Sequence, residues 1–196
     1  MNDARSAVGA PSARGAARRA WPTRVAWTIA GVALIAVALA NAPPLLGRSR
    51  VSNEIIIART PQEVFEYVTT PAIWPAWHPS SVAVRGAVDH PLLVGESAVE
   101  TFVVAGRRGE AQWTVVERTP PRRFAIAGRP TGSDGGARIT YTLEARPEGT
   151  RFHRDMEYRM PSLWGDILDI LLLHDRVAAE SDEAVRRLRE RAEARP

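Results

Sequence analysis

The sequence predicts an α+β domain in which an antiparallel sheet packs against one long C-terminal helix. Three observations predict this fold. A β-branched run, 55–57, leads into a short helix, and six segments of alternating polarity joined by turns follow it. The chain then carries apolar residues at helical spacing over 162–193, with no proline between Pro161 and Pro196.

Composition excludes several classes of function. The 196 residues suffice for one ordinary domain with an appendage. Cysteine is absent, which excludes disulfides, thiol catalysis and cysteine metal sites, and the absence of lysine excludes lysine Schiff-base chemistry. The net charge of +4 arises from the arginines of residues 1–24. The rest of the chain is neutral, which argues against a nucleic-acid-binding surface.

The N-terminal part predicts export of the domain. Residues 1–24 are basic, without apolar periodicity, and are predicted to be disordered. Residues 25–46 lie in an uncharged stretch long enough to span a bilayer as a helix. The positive-inside rule predicts a single-pass protein of the cell membrane, with a cytoplasmic N-terminus and the domain, 47–196, on the outer (periplasmic or extracellular) side. A cleaved signal peptide ending at Ala38-Leu39-Ala40, or a buried soluble helix, is the alternative.

The first helix of the domain has a well-specified start. Thr60 precedes Pro61 and stands three residues before Glu63, the pattern of a capping box with proline at the first helical position. A buried stripe is predicted at Val64, Phe65 and Val68, and the sequence Trp74-Pro75-Ala76-Trp77 predicts a rigid aromatic turn after the helix.

The six strands follow as a meander. Their alternation places one apolar face toward a core, and the sequence around 106–109 predicts a hairpin turn. The predicted strands are 81–86, 96–105, 109–118, 123–127, 137–145 and 150–160.

The last segment, 162–193, is predicted to be one continuous helix. Its first half is apolar on nearly every side, so it must be buried, whereas its second half is amphipathic and rich in charge.

Several motifs resemble the helix-grip superfamily (SRPBCC), which contains the START domains and the birch pollen allergen (Bet v 1-like) proteins. The closest resemblance is to the bacterial polyketide cyclase/dehydrase-like family. It is carried by segments 57–65, 74–79, 115–124 and 149–152 and by the helix around 175–176. The resemblance covers about residues 51–193 and implies a curved sheet wrapped around the long helix.

In that fold a cavity for an apolar ligand lies between sheet and helix. Alternation and the resemblance together predict the residues that line it, against the alternative that they pack a solid core. They are Trp77, Phe102, Trp113, Phe124, Tyr141, Phe152, Arg154, Met156, Tyr158, Leu168, Leu171 and Leu172.

Arg154 is the one charged residue among these candidates. It shares strand parity with Phe152 and Met156, and Glu100 shares parity with Phe102, so both charges are expected to point inward. A buried charge must be paired or solvated. The sequence therefore predicts either an internal Glu100–Arg154 pair or an arginine that receives a ligand carboxylate, unless a bulge turns both to solvent.

No catalytic constellation can be named. His174 lies on the apolar stripe of the long helix and is either a base or a satisfied core histidine. Asp166 and Asp169 are one turn apart, but acids near a helix start ordinarily favour its dipole. No metal-ligand spacing is present, and neither a metal nor another cofactor is expected.

Three functions remain open. The first is a membrane-tethered domain that binds a hydrophobic small molecule or lipid and no nucleic acid. The second is a polyketide cyclase/dehydratase-like enzyme using His174, Tyr141 or Glu100 as acid or base. The third is a structural or interaction role with a filled core.

Overall fold

The computed structural model describes residues 23–104 and 106–195. The chain divides after Ala36 into two compact units. The predicted basic tail lies almost entirely outside the described residues. Helix α1 spans Thr23–Asn41, where residues 25–46 were predicted to form a membrane span. Within the described part of the chain, no helix combines the length and the apolar character needed to cross a bilayer.

Among the described residues, seven strands form one antiparallel sheet in the order β1-β7-β6-β5-β4-β3-β2. Every neighbour except the β1–β7 pair is adjacent in sequence, as expected for a meander. The strands are β1 (Ser49–Ile57), β2 (Ser81–Gly86), β3 (Ser97–Val104), β4 (Arg107–Thr119), β5 (Arg123–Pro130), β6 (Gly136–Arg146) and β7 (Gly149–Arg159). The predicted α+β helix-grip fold is confirmed.

Helix α2 (Pro61–Thr69) begins at the predicted capping box. The backbone N–H of Glu63 donates to Thr60 Oγ1 at 3.3 Å, and the Glu63 carboxylate accepts from the Thr60 N–H at 2.8 Å. A 3₁₀ turn (Pro71–Ile73) and the short helix α3 (Trp74–Trp77) follow. The indole of Trp74 donates to the carbonyl of Val68 at 3.0 Å, which ties the aromatic turn to the end of α2.

The C-terminal segment is helical without a break from Leu163 to Glu193, so the predicted long helix is confirmed, but it is not α-helical throughout. Helix α4 (Leu163–Leu168) passes into a π-helical segment (Asp169–Leu173), and helix α5 (His174–Glu193) follows it. A π turn inserts one extra residue into the helix, so residues after it face a different direction from the one that regular α periodicity predicts.

Helix α5 packs along β1 through Ala184, Val185 and Leu188, which are all buried. Its end is held by Arg59, whose guanidinium donates to the carbonyl oxygens of Ala192 at 3.1 Å and of Glu193 at 2.9 Å. Helix α5 is therefore fixed against the β1 edge of the sheet.

The segment after α1 is anchored to α4. The N–H of Leu163 donates to the carbonyl of Ala42 at 3.0 Å, and Asp166 Oδ2 accepts from the backbone N–H groups of Leu45 at 2.7 Å and Leu46 at 3.2 Å. The carboxylate of Asp166 is thus occupied by backbone hydrogen bonds.

Candidate functional site

A cavity of about 440 Å³ lies between the inner face of the sheet, α3 and the π-helical segment with the start of α5. Most of its wall is aromatic or aliphatic, because residues of the same parity on five neighbouring strands point into it. Such a volume is typical of pockets for small molecules. Beyond the predicted residues, its wall includes Trp74, Val104, Ala111, Ile126, Ala137, Ile139, Leu173 and Val177.

Seven of the twelve predicted residues lie in the cavity wall. Six of them come from the sheet and one from α3. They are Trp77, Phe102, Trp113, Tyr141, Arg154, Met156 and Tyr158. That these residues contact a ligand stays a prediction.

Two predicted aromatic residues lie behind this wall. Phe124 stacks on Tyr141 with ring centroids 6.1 Å apart, and the ring of Phe152 lies 5.3 Å from that of Tyr141. Both are fully buried in the core and do not border the cavity. They support Tyr141 from the side away from the cavity.

The predicted leucine wall of the helix is wrong. Leu171 and Leu172 are 68% and 57% exposed, and Leu168 also lies outside the cavity lining. The reason is the π-helical segment, whose extra residue rotates Leu173 toward the cavity and turns its two predecessors outward. A π turn leaves no recognisable sequence signal here, so α periodicity selected the wrong leucines.

Arg154 points inward, as its parity predicted, and is only 1% exposed. Its guanidinium donates to Ser181 Oγ on α5 at 2.5 Å and contacts His78 Nε2 at 3.4 Å. No ion pair joins it to Glu100 within the described residues, so the predicted internal pair is not formed. Ser181, which sequence reasoning missed, lies in the cavity wall as well.

Glu100 borders the cavity from β3. Its Oε2 accepts a hydrogen bond from Trp113 Nε1 at 2.8 Å. Burial raises the pKa of Glu100 above its ordinary value, and its hydrogen bonds and the nearby Arg154 only partly oppose this effect. The cavity therefore holds a carboxyl group that gains a proton more readily than one in water.

A second polar cluster lies where β7 meets the π-helical segment. The hydroxyl of Tyr158 donates to Asp169 Oδ1 at 2.7 Å and lies 3.3 Å from His174 Nδ1. Ser49 Oγ donates to the other oxygen of Asp169 at 2.5 Å. Burial, followed by the contact with Asp169, raises the pKa of Tyr158, so its hydroxyl stays protonated.

The four histidines do not assemble a metal site. His90 and His153 lie near surface carboxylates, His174 lies beside Tyr158, and His78 contacts Arg154. Within the described part of the chain, no group of three or more metal-ligating side chains comes together.

The wall residues that sequence reasoning missed are mostly small or aliphatic. Ile126, Ala137 and Ile139 follow the same alternation as the predicted aromatic residues and could have been selected by that signal. Trp74 and Val177 depend on how α3 and α5 are placed, which the sequence pattern does not reveal.

Known proteins share the sequence pattern and the fold of this chain. The profile of a family described as "Polyketide cyclase / dehydrase and lipid transport" matches residues 48–193. No curated protein matches the chain.

Solved structures share the fold at low identity. TTHA0849 from Thermus thermophilus is 15% identical with a TM-score of 0.62, covering 74% of this chain and 97% of that one. CV1439 from Chromobacterium violaceum is 16% identical with a TM-score of 0.59, covering 74% and 99%. Ara h 8.0201 is 14% identical with a TM-score of 0.56, covering 76% and 100%.

Proposed function

We propose that this chain, which belongs to the polyketide cyclase/dehydrase and lipid transport family, binds a hydrophobic small molecule or lipid in the cavity between its sheet and its C-terminal helices. The observation that supports this function is the open cavity of about 440 Å³ with a mainly apolar wall. Transfer of an apolar ligand from water into such a space is favourable in proportion to the apolar area buried.

The alternative of a structural role with a filled core receives less support. A core that only stabilised the fold would be packed to the density of an organic crystal, with few voids larger than a water molecule. A cavity of this volume between sheet and helix removes packing contacts and lowers stability unless a ligand occupies it. Ligand binding gives the space a function.

Native mass spectrometry of the purified full-length chain tests the binding function. A co-purified hydrophobic molecule is expected on the wild-type chain and is expected to be lost in Ala137→Phe, because Ala137 lies in the cavity wall and a phenyl group would fill the space. The matched control is Ala145→Phe on the same strand, at an exposed position outside the cavity. Equal ligand occupancy in both variants would contradict binding in this cavity.

A second candidate function is catalysis on polyketide-like carbonyl compounds. It is favoured by Glu100, which borders the cavity and whose pKa is raised by burial, so that it can donate a proton to a carbonyl or hydroxyl oxygen. The test is turnover of a poly-β-carbonyl thioester by the wild-type chain and by Glu100→Gln. A variant that still binds the compound but no longer turns it over supports catalysis, and unchanged turnover argues against a role for Glu100.

The location of the domain stays a prediction. The uncharged stretch 25–47, preceded by five arginines, is the feature that supports export of the domain on a membrane anchor or after removal of a signal peptide. Fractionation of cells and N-terminal sequencing of the mature chain test it. A mature chain that starts at Asn41 would refute the anchor, and a chain found only in the soluble cytoplasmic fraction would refute both.

A further inference from the structure

The buried guanidinium of Arg154 has more donors than partners. Arginine carries five N–H donors in a fixed fork. Within the described residues, Arg154 donates one short hydrogen bond, to Ser181, and makes longer contacts with His78 Nε2 at 3.4 Å and Met156 Sδ at 3.6 Å. The hydroxyl of Tyr141 is a further polar neighbour, whereas Arg154 Nε is buried and finds no hydrogen-bond partner in the part of the chain that the structure describes. Within the described residues, the direct contacts of this buried charge are thus with neutral groups, and the Glu100 carboxyl acts on it only through space.

His78 adds a second donor to the same place. Burial and the charge of Arg154 lower the pKa of His78 to about 3, so its imidazole is neutral at physiological pH. Arg154 can only donate, so His78 Nε2 is the acceptor of their contact and the single imidazole proton is on Nδ1. That Nδ1 is buried and has no hydrogen-bond partner among the described residues, and the same holds for the indole N–H of the adjacent Trp77.

The carboxyl groups of the cavity wall do not neutralise Arg154 by direct contact. Asp169 accepts from Tyr158 and Ser49, and Glu180 accepts from Ser80 Oγ. Glu100 accepts from Trp113 and forms no ion pair with the guanidinium. The unpartnered groups of Arg154, His78 and Trp77 in the described residues are therefore N–H donors. The charge that they surround is the positive charge of the guanidinium.

We propose that the cavity selects hydrophobic ligands that end in a carboxylate, and that this carboxylate is held by Arg154 and His78 while the apolar remainder lies along Trp113, Ile126 and Ile139. This inference rests on the proposed binding function and names its ligand class. A carboxylate matches the arginine fork and supplies the missing acceptor. It also supplies the opposite charge that a buried guanidinium requires.

The test compares three ligands of equal chain length on the full-length protein. Dodecanoate, dodecanol and methyl dodecanoate are titrated at pH 8 against the neutral fluorescent probe N-phenyl-1-naphthylamine. The wild-type chain is expected to bind dodecanoate at least about tenfold more tightly than dodecanol or the ester, because a buried charge-assisted hydrogen bond contributes that much to affinity. Equal affinities for the three ligands would overturn the proposal.

Two variants locate the carboxylate. Arg154→Gln is expected to bind dodecanoate and dodecanol with about equal affinity, while its affinity for dodecanol stays close to that of the wild type. Arg151→Gln is the matched control, because Arg151 lies on the same strand and forms its ion pair with Glu54 at the surface. It is expected to keep the wild-type preference. A preference that survives Arg154→Gln would place the carboxylate elsewhere and overturn the assignment.

The two proposals fail in different ways. If neither the probe nor any of the three ligands binds the wild-type chain, the binding function itself fails. If all three bind equally well, binding stands and the carboxylate selectivity fails. Should Arg154→Gln not fold, the comparison of ligands on the wild-type chain still decides, because it needs no variant.

Discussion

Arg154 on β7 and Ser181 on α5 are joined by a buried hydrogen bond of 2.5 Å between the guanidinium and the hydroxyl oxygen. The same hydroxyl donates to Asn53 Oδ1 on β1. The bond therefore connects the C-terminal helix to two neighbouring strands next to the cavity, and it fixes the position of the charge that we assign to ligand recognition.

Replacement of Ser181 by alanine is expected to destabilise the protein by about 1–3 kcal/mol, because it leaves buried donors of Arg154 and an acceptor of Asn53 without a partner. Urea denaturation measures the change. Ser52→Ala, at an exposed position on the outer face of β1, is the control and is expected to change stability by less than about 0.5 kcal/mol. Equal effects of the two substitutions would show that the buried network contributes nothing.

The neutral His78 predicts a loss of stability in acid. Its pKa is lowered to about 3 by burial and by Arg154, whereas in the unfolded chain it has the ordinary value near 6.5. Between these values the unfolded chain takes up a proton that the folded chain does not. The free energy of unfolding should therefore fall as the pH falls from about 6.5 toward 3, by up to about 1.4 kcal/mol per pH unit, and be unaffected by His78 above that window.

Urea denaturation at pH 7 and pH 5 checks this expectation. The wild-type chain should lose more stability between the two pH values than His78→Gln, which removes the titrating group. A His78→Gln chain with the wild-type pH dependence would contradict the buried neutral state.

The π-helical segment predicts that substitution of Leu173, but not of Leu171, weakens ligand binding. Leu173→Ser places a hydroxyl in the apolar cavity wall and is expected to weaken binding of a dodecyl ligand by about tenfold or more. Leu171→Ser lies at a position 68% exposed and should leave binding unchanged. Probe displacement measures both. The reverse result would contradict the π-helical segment and favour regular α-helical periodicity through these residues.

Substitution of Gly149 and of Gly132 distinguishes the cost of a close contact from the cost of backbone strain alone. Both have positive φ, +135° and +74°. A Cβ on Gly149 would overlap the carbonyl oxygen of Ile57 on β1, whereas a Cβ on Gly132 would meet nothing within 4 Å. Gly149→Ala is expected to destabilise the domain by about 3 kcal/mol or more and Gly132→Ala by about 1 kcal/mol, both measured by urea denaturation. Similar losses would contradict the tight packing of the β6–β7 turn against β1.

The sequence determined the α+β class, the strand order of the meander and the start of α2. These features depend on local chemistry. Alternation of side chains assigns a strand face, and the Thr60–Glu63 capping box closes hydrogen bonds within four residues. The same alternation pointed Arg154 and the aromatic wall residues inward, which is where they lie.

Tertiary structure decided the rest of the cavity. The π turn at Asp169–Leu173 changed which leucines face inward, and the crossing of α5 over β1 brought Ser181, rather than Glu100, to Arg154. Phe124 and Phe152 share a face with the wall residues, yet they lie behind Tyr141 where the core is filled. Periodicity assigns a side chain to a face, but only packing between distant elements determines whether that side chain borders an open space or a neighbour.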